Sequence, residues 1–240
     1  GTGASASPTP TPAGPPSATI DQATTVDANG ATLNGAVDAN GAVAATTFTY
    51  GKVPDLSSDT TTIDATPHQV TGATTTATTA VIAGLEPGTT YYYRVQAVNS
   101  VDTATSGIAS FTTSAQAPAV VTGAATDVDT TTAKLAGTAK ARGSLSSIAF
   151  EVGTSPTLAS VDFTYTADPA TVTGNSDTDV TADAAPLTPK TTYYYRVVAT
   201  NSIGTTTGPT RSFTTAGAPS ALTDAAVVTS GTQAVLTGTL

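Results

Sequence analysis

The chain copies itself. Leu85, Pro87, Thr90, Tyr91-Tyr92-Tyr93-Arg94-Val95, Ala97, Asn99-Ser100 and Ser110-Phe111-Thr112-Thr113 return as Leu187, Pro189, Thr192, Tyr193-Tyr194-Tyr195-Arg196-Val197, Ala199, Asn201-Ser202 and Ser212-Phe213-Thr214-Thr215, at a constant offset of 102 residues. Leu33, Gly35 and Gly51 match Leu135, Gly137 and Gly153 at the same offset. A period of this length, about 100 residues, is one β-sandwich domain. After Pro219 the pattern begins again, with Leu236-Thr237-Gly238-Thr239 in the place of Leu135-Ala136-Gly137-Thr138. The 240 residues therefore predict a tail over 1–17, one domain over 18–116, a second over 118–217, and the first two strands of a third repeat over 219–240.

Composition selects strands over helices. Charged residues are only 10% of the chain, and Thr supplies the polar surface. Its β-branch suits a pleated sheet, whereas Glu and Lys, the usual residues of helix surfaces, are scarce. The expected fold class is all-β, with negligible helix. Gly1 to Ser17, including Ser7-Pro8-Thr9-Pro10-Thr11-Pro12, reads as an extended spacer that cannot form a core. A start at Gly1 and the absence of Met predict a processed or excerpted chain.

Strands follow from alternation bounded by turn residues. Asp27-Ala28-Asn29-Gly30 and Asp38-Ala39-Asn40-Gly41 bracket a strand over Ala31 to Val37, since Asn-Gly readily takes the positive φ of a tight turn. Leu33, Gly35 and Val37 share its inner face. An inward Gly35 predicts room for Phe48, Tyr50 or Tyr93, and Gly137 the same for Phe150 or Tyr195. Within Thr71 to Leu85, Val81 and Leu85 are the predicted buried ends. Tyr91, Tyr93, Val95 and Ala97 point inward, and Tyr92, Arg94 and Gln96 outward.

Leu85-Glu86-Pro87-Gly88-Thr89-Thr90-Tyr91, followed by Tyr93 to Asn99, resembles the Leu-x-Pro-x-Thr-x-Tyr segment and following strand of the fibronectin type III superfamily, and Leu187 to Asn201 matches equally well. The chain is thus similar to immunoglobulin-like fibronectin type III tandem repeats of bacterial secreted or surface proteins. The resemblance spans nearly all of residues 18–240. It implies that Tyr91 and Tyr193 are tyrosine-corner residues whose hydroxyls bond back to nearby backbone. The core Trp of the family's early strand is missing. Function does not follow from this fold, which serves as spacer, adhesin, receptor module and enzyme appendage.

Chemistry is sparse. With no Cys there is no disulfide framework, thiolate nucleophile or Cys-based zinc site. His68, the only histidine, is placed in or beside a loop by Thr66-Pro67-His68-Gln69, with no second imidazole to share a metal. Asp127, Asp129, Asp177, Asp179 and Asp183 are the candidates for a calcium site, but no loop has acidic ligand spacing, and turn or solubilising roles are the better reading. No Gly-x-Ser-x-Gly elbow occurs. Tyr92 and Tyr194 are candidates for a carbohydrate or protein contact surface, against the plainer reading of cross-strand packing beside Arg94 and Arg196. Arg142-Gly143-Ser144 lacks the Asp of an integrin-binding loop. No Asn-x-Ser/Thr acceptor occurs, and Thr9 and Thr11 resemble O-glycosylated stalk positions.

A formal net charge of -9 repels phosphate backbones, so nucleic acid is not an expected partner. No apolar run is long enough to span a membrane, and the start lacks a signal-peptide series. The sequence predicts a non-catalytic protein with no catalytic, cofactor-binding or metal site and no cofactor, located outside the cell or on its surface. It is expected to be a structural or adhesive segment of a filament, sheath or stalk. Its expected partners are copies of itself in a head-to-tail homopolymer, other surface proteins, or polysaccharide. The alternatives are spacer modules of a secreted polysaccharide-active enzyme, or a carbohydrate-binding module.

Overall fold

A computed structural model describes residues 13–218, 220, 222–223, 227–230, 233–235 and 238–239. The chain divides into two compact units that change over between Gln116 and Ala117.

The first unit contains β1 (Ser17–Thr24), β2 (Gly30–Asp38), β3 (Val43–Gly51), β4 (Thr60–Thr71), β5 (Thr76–Ala83), β6 (Thr90–Val98), β7 (Thr103–Thr105) and β8 (Ala109–Thr112). One antiparallel layer is β1-β2-β5 and the other β4-β3-β6-β7, with β8 also on β6. β4 joins them through a single pairing of Thr66 with Thr79. Its ladder to β3 slips between Ala45 and Thr47, and Pro67 lies in that bulge, where a strand needs no ladder N–H. His68 therefore lies within β4 rather than in a loop. Asn40 and Gly41 take positive φ in the β2–β3 turn (48° and 84°). The Asn29-Gly30 turn is built differently. The Asp27 carboxylate accepts from the backbone N–H of both Asn29 and Gly30, at 2.7 Å each, which makes positive φ unnecessary.

The second unit repeats this arrangement with β9 (Ala119–Thr122), β10 (Ala133–Lys140), β11 (Ser146–Gly153), β12 (Phe163–Val172), β13 (Thr178–Ala184), β14 (Thr192–Thr200), β15 (Thr205–Thr207) and β16 (Arg211–Thr214). Asp168 pairs with Thr181 where Thr66 pairs with Thr79. Each sandwich has eight strands because the last strand of the fold is split into two short ones.

The core of the first unit gathers Leu33, Val37, Phe48, Tyr93 and Val95, all fully buried, and that of the second gathers Leu135, Phe150, Val152, Tyr195 and Val197. Tyr91, Tyr93, Val95 and Ala97 alternate inward as expected. Val81 is 79% exposed, contrary to expectation. Ala80 and Ile82 face Leu33 and Ala31 across β2, which turns Val81 outward. A Cβ on Gly35 would meet the Thr19 carbonyl at 2.8 Å and the Phe48 ring at 3.5 Å. On Gly137 it would meet the Val121 carbonyl at 2.8 Å and the Val197 side chain at 3.6 Å, as Gly35 meets the equivalent Val95 at 3.1 Å. Both glycines let an edge strand approach closely.

Thr carries the outer faces. Thr49 with Thr62, Thr90 with Thr112, Thr192 with Thr214 and Thr200 with Thr205 join hydroxyls across strands at 2.8 to 3.0 Å. Such pairs tie a sheet face together without charge.

Of the sequence-predicted tail, Thr9 and Thr11 lie outside the described residues. Gly14 is tied to the first sandwich, donating its N–H to the Asn40 carbonyl and accepting from the Asn99 amide. Near the other end, β17 (Leu222–Thr223) pairs with β20 (Gly238–Thr239), and β18 (Val227–Ser230) with β19 (Gln233–Val235). Thr223 faces Gly238 as Thr122 faces Gly137. Val227 and Val235 are exposed; Leu236 lies outside the described residues.

Candidate functional site

The most repeated residues form a brace on each sandwich. The Tyr91 hydroxyl accepts the N–H of Glu86 and that of Tyr193 the N–H of Thr188, both at 3.0 Å. These are the corner bonds that the resemblance implies. Phe111 stacks on Tyr91 and Phe213 on Tyr193, with ring centres 5.8 Å apart. Buried Thr113 accepts from Thr89 N–H and donates to the Glu86 carbonyl at 2.7 Å, and Thr215 does the same with Thr191 and Thr188. The Tyr93 and Tyr195 hydroxyls donate across the sandwich to the carbonyls of Asp21 and Gly123. Burial pushes both phenols above their ordinary pKa. The repeated Tyr, Phe and Thr of the sequence thus hold strands together.

The candidate chemical residues do not assemble. His68 is exposed on β4, its imidazole Nδ1 3.4 Å from the Asp64 carboxylate. Asp127 and Asp183 flank Lys134 along a shallow cleft, while Asp177 pairs with Lys140 at 3.4 Å and Asp179 stands opposite Thr138 on β10. Among the described residues no three of His, Cys, Asp or Glu approach closely enough to hold a metal. Tyr92 is half-buried between Gly51 and Ser110, and Tyr194 between Gly153 and Ser212. Each ring has a glycine and a serine as strand neighbours, an arrangement that covers bare backbone. No described helix is long and apolar enough to cross a membrane.

One feature divides the two sandwiches. In the first, the end of β3, the loop that follows it and the β5–β6 connection enclose a cleft of about 470 Å³, lined by Tyr50, Lys52, Asp59, Thr61, Glu86 and Tyr91 among others. The Lys52 ammonium pairs with the Glu86 carboxylate across it, and this hydrogen bond raises the Lys52 pKa. At the same offset the second sandwich carries Val152, Thr154, Val161, Phe163 and Thr188. There Phe163 stacks on Tyr165, ring centres 6.0 Å apart, where the first has Thr61 and Ile63. Burial, and after it the neighbouring Tyr193, pushes the Tyr165 phenol up. The cleft residues escape a reading based on repetition because they are the positions that do not repeat. Lys52 and Glu86, each replaced by Thr in the copy, are the signal that marks it.

The family model for the N-terminal domain of purple acid phosphatase matches residues 36–113, less than half of the chain. No curated protein matches the chain. Among solved structures, the chicken CNTN1 FN1-FN3 domains align with a TM-score of 0.47 and 18% identity over 85% of this chain and 68% of that one. The sensor domain of the anti-sigma factor RsgI4 of Pseudobacteroides cellulosolvens aligns with a TM-score of 0.30 and 19% identity over 43% of this chain and 93% of that one. By its own strand order, register and corner bonds, the chain carries two fibronectin type III-like β-sandwiches in tandem.

Proposed function

We propose that the chain is a non-catalytic structural or adhesive segment of an extracellular or surface-bound protein, in which repeated sandwiches supply length and resistance to pulling. One observation carries this reading. The two copies keep the bracing Tyr, Phe and Thr residues and their hydrogen bonds, while Lys52, Asp59, Thr61 and Glu86 of the cleft in one are Thr154, Val161, Phe163 and Thr188 in the other. Retention of the scaffold with divergence of the surface suits a spacer. In its fuller form the segment belongs to a filament, sheath or stalk, with strands near 222–239 pairing into a neighbouring copy to give a head-to-tail polymer. Electron microscopy of the native material tests it: regular filaments or extended stalks are expected, and single compact particles would contradict it.

A second reading is favoured by the match to a phosphatase N-terminal domain: the sandwiches are accessory domains that space or orient an enzyme's catalytic domain. Full-length sequence separates the two, since further repeats support the first and a catalytic domain the second. In either case the purified chain is expected to turn over no phosphate ester or glycoside. Turnover that disappears in His68→Ala would contradict this.

A further inference from the structure

We propose that the cleft of the first sandwich is a binding site for a neutral carbohydrate, taking one or two sugar rings of a glycan. Its volume, about 470 Å³, lies within the range of roughly 300–1,000 Å³ typical of small-molecule sites. Its wall is preformed. Leu56 is buried, and it and Asp59 hold positive φ (54° and 50°). Leu56 N–H donates to the Val53 carbonyl at 3.0 Å, and Ser57 N–H to the Asp55 carboxylate at 3.0 Å. A loop ordered before binding loses little entropy when a ligand arrives.

The chemistry of the lining narrows the ligand. Lys52 and Glu86 set a charged donor beside a charged acceptor, and Asp59 and Thr61 add further polar groups. Adjacent sugar hydroxyls, each able to donate and accept, satisfy such a set, while the C–H face of the ring packs on Tyr50. With one cation and two anions the lining repels phosphates and uronates. The surplus carboxylate, Asp59, would also attract a cationic side chain, which makes a cationic peptide the competing class in the test. The second sandwich is an internal control, with Thr154 and Thr188 in place of the ion pair, and Phe163 and Tyr165 at the positions of Thr61 and Ile63.

The test is a titration of the full 240-residue chain with cellopentaose, maltopentaose and chitopentaose, followed by amide NMR shifts, with tetralysine as the competing class. At least one sugar is expected to give saturable shifts confined to residues 50–53, 59–61 and 83–86, leaving 152–155 and 185–188 unmoved. The Lys52→Thr, Glu86→Thr double variant carries the second sandwich's own residues, so its fold is retained. It is expected to bind about tenfold more weakly or worse, roughly 1.4 kcal/mol. No saturable shift with any of the sugars, unchanged affinity in the variant, equal shifts in the second sandwich, or saturation by tetralysine alone would each overturn the proposal.

Discussion

The backbone N–H of Val95 and that of Val197 occupy the same place in the two sandwiches, yet different segments satisfy them. In the first, the Ser106 hydroxyl, just beyond β7, accepts the Val95 N–H at 3.0 Å. In the second the matching residue is Gly208, which has no side chain to offer, and Thr122 of β9 accepts the Val197 N–H at 3.2 Å. The first sandwich has Ile20 at the position of Thr122. The two changes depend on each other, since a Cβ on Gly208 would lie 2.4 Å from the Thr122 hydroxyl. What the copies conserve is a satisfied amide, not a residue, because a buried N–H without a partner is costly.

Breaking that compensation should have the largest effect. Thr122→Ile leaves the Val197 N–H without a partner and is expected to destabilise the second sandwich by about 1–3 kcal/mol. Gly208→Ser added to it restores the arrangement of the first sandwich and is expected to recover most of the loss. A double-mutant cycle from denaturant melts reads the coupling, and simple additivity would show that the two sites are independent.

A second difference lies at Thr46, buried with its hydroxyl unpartnered, where the copy has Ile148. Thr46→Val is expected to stabilise the first sandwich by about 1 kcal/mol, by removing a buried unpaired hydroxyl at constant shape. An unchanged or lowered melting temperature would count against this. By contrast, Tyr91→Phe and Tyr193→Phe should act alike, each destabilising its own sandwich by about 1 kcal/mol. Two separable transitions in calorimetry resolve the two domains, and a shift in neither would remove the role given to the corner. The smallest effect belongs to an ion pair of the second sandwich, Arg196 with Glu151 at 2.7 Å, each side chain about a quarter exposed. Glu151→Thr, the residue found at Thr49, is expected to cost at most about 1 kcal/mol, and less as salt is raised.

The sequence shows the scaffold clearly because a repeat exposes what a fold requires. Tyr91, Tyr93, Phe111 and Thr113 recur with their spacing intact, and each has the same partner in both copies. Local ambiguity hides more. Ala80, Val81, Ile82 and Ala83 are apolar at both parities, so alternation cannot say which side faces inward, and only the pairing with β2 decides. His68 follows a proline and reads as loop, yet a bulge carries the strand through it. Asn29-Gly30 has the letters of a positive-φ turn, but Asp27 supplies the hydrogen bonds instead. The cleft is hidden for a different reason: Lys52 and Glu86 are far apart in the chain and meet only once β3 and the β5–β6 connection are side by side.

Two braced sandwiches in series make a mechanical claim, and pulling a single molecule by its ends tests it directly. Each sandwich, Ser17–Thr112 or Ala119–Thr214, releases about 30 nm of chain when its extended length, at roughly 3.6 Å per residue, replaces its folded span. Two separate force peaks are expected, each followed by an extension of about that size. A single peak releasing the whole length, or extension without peaks, would contradict it.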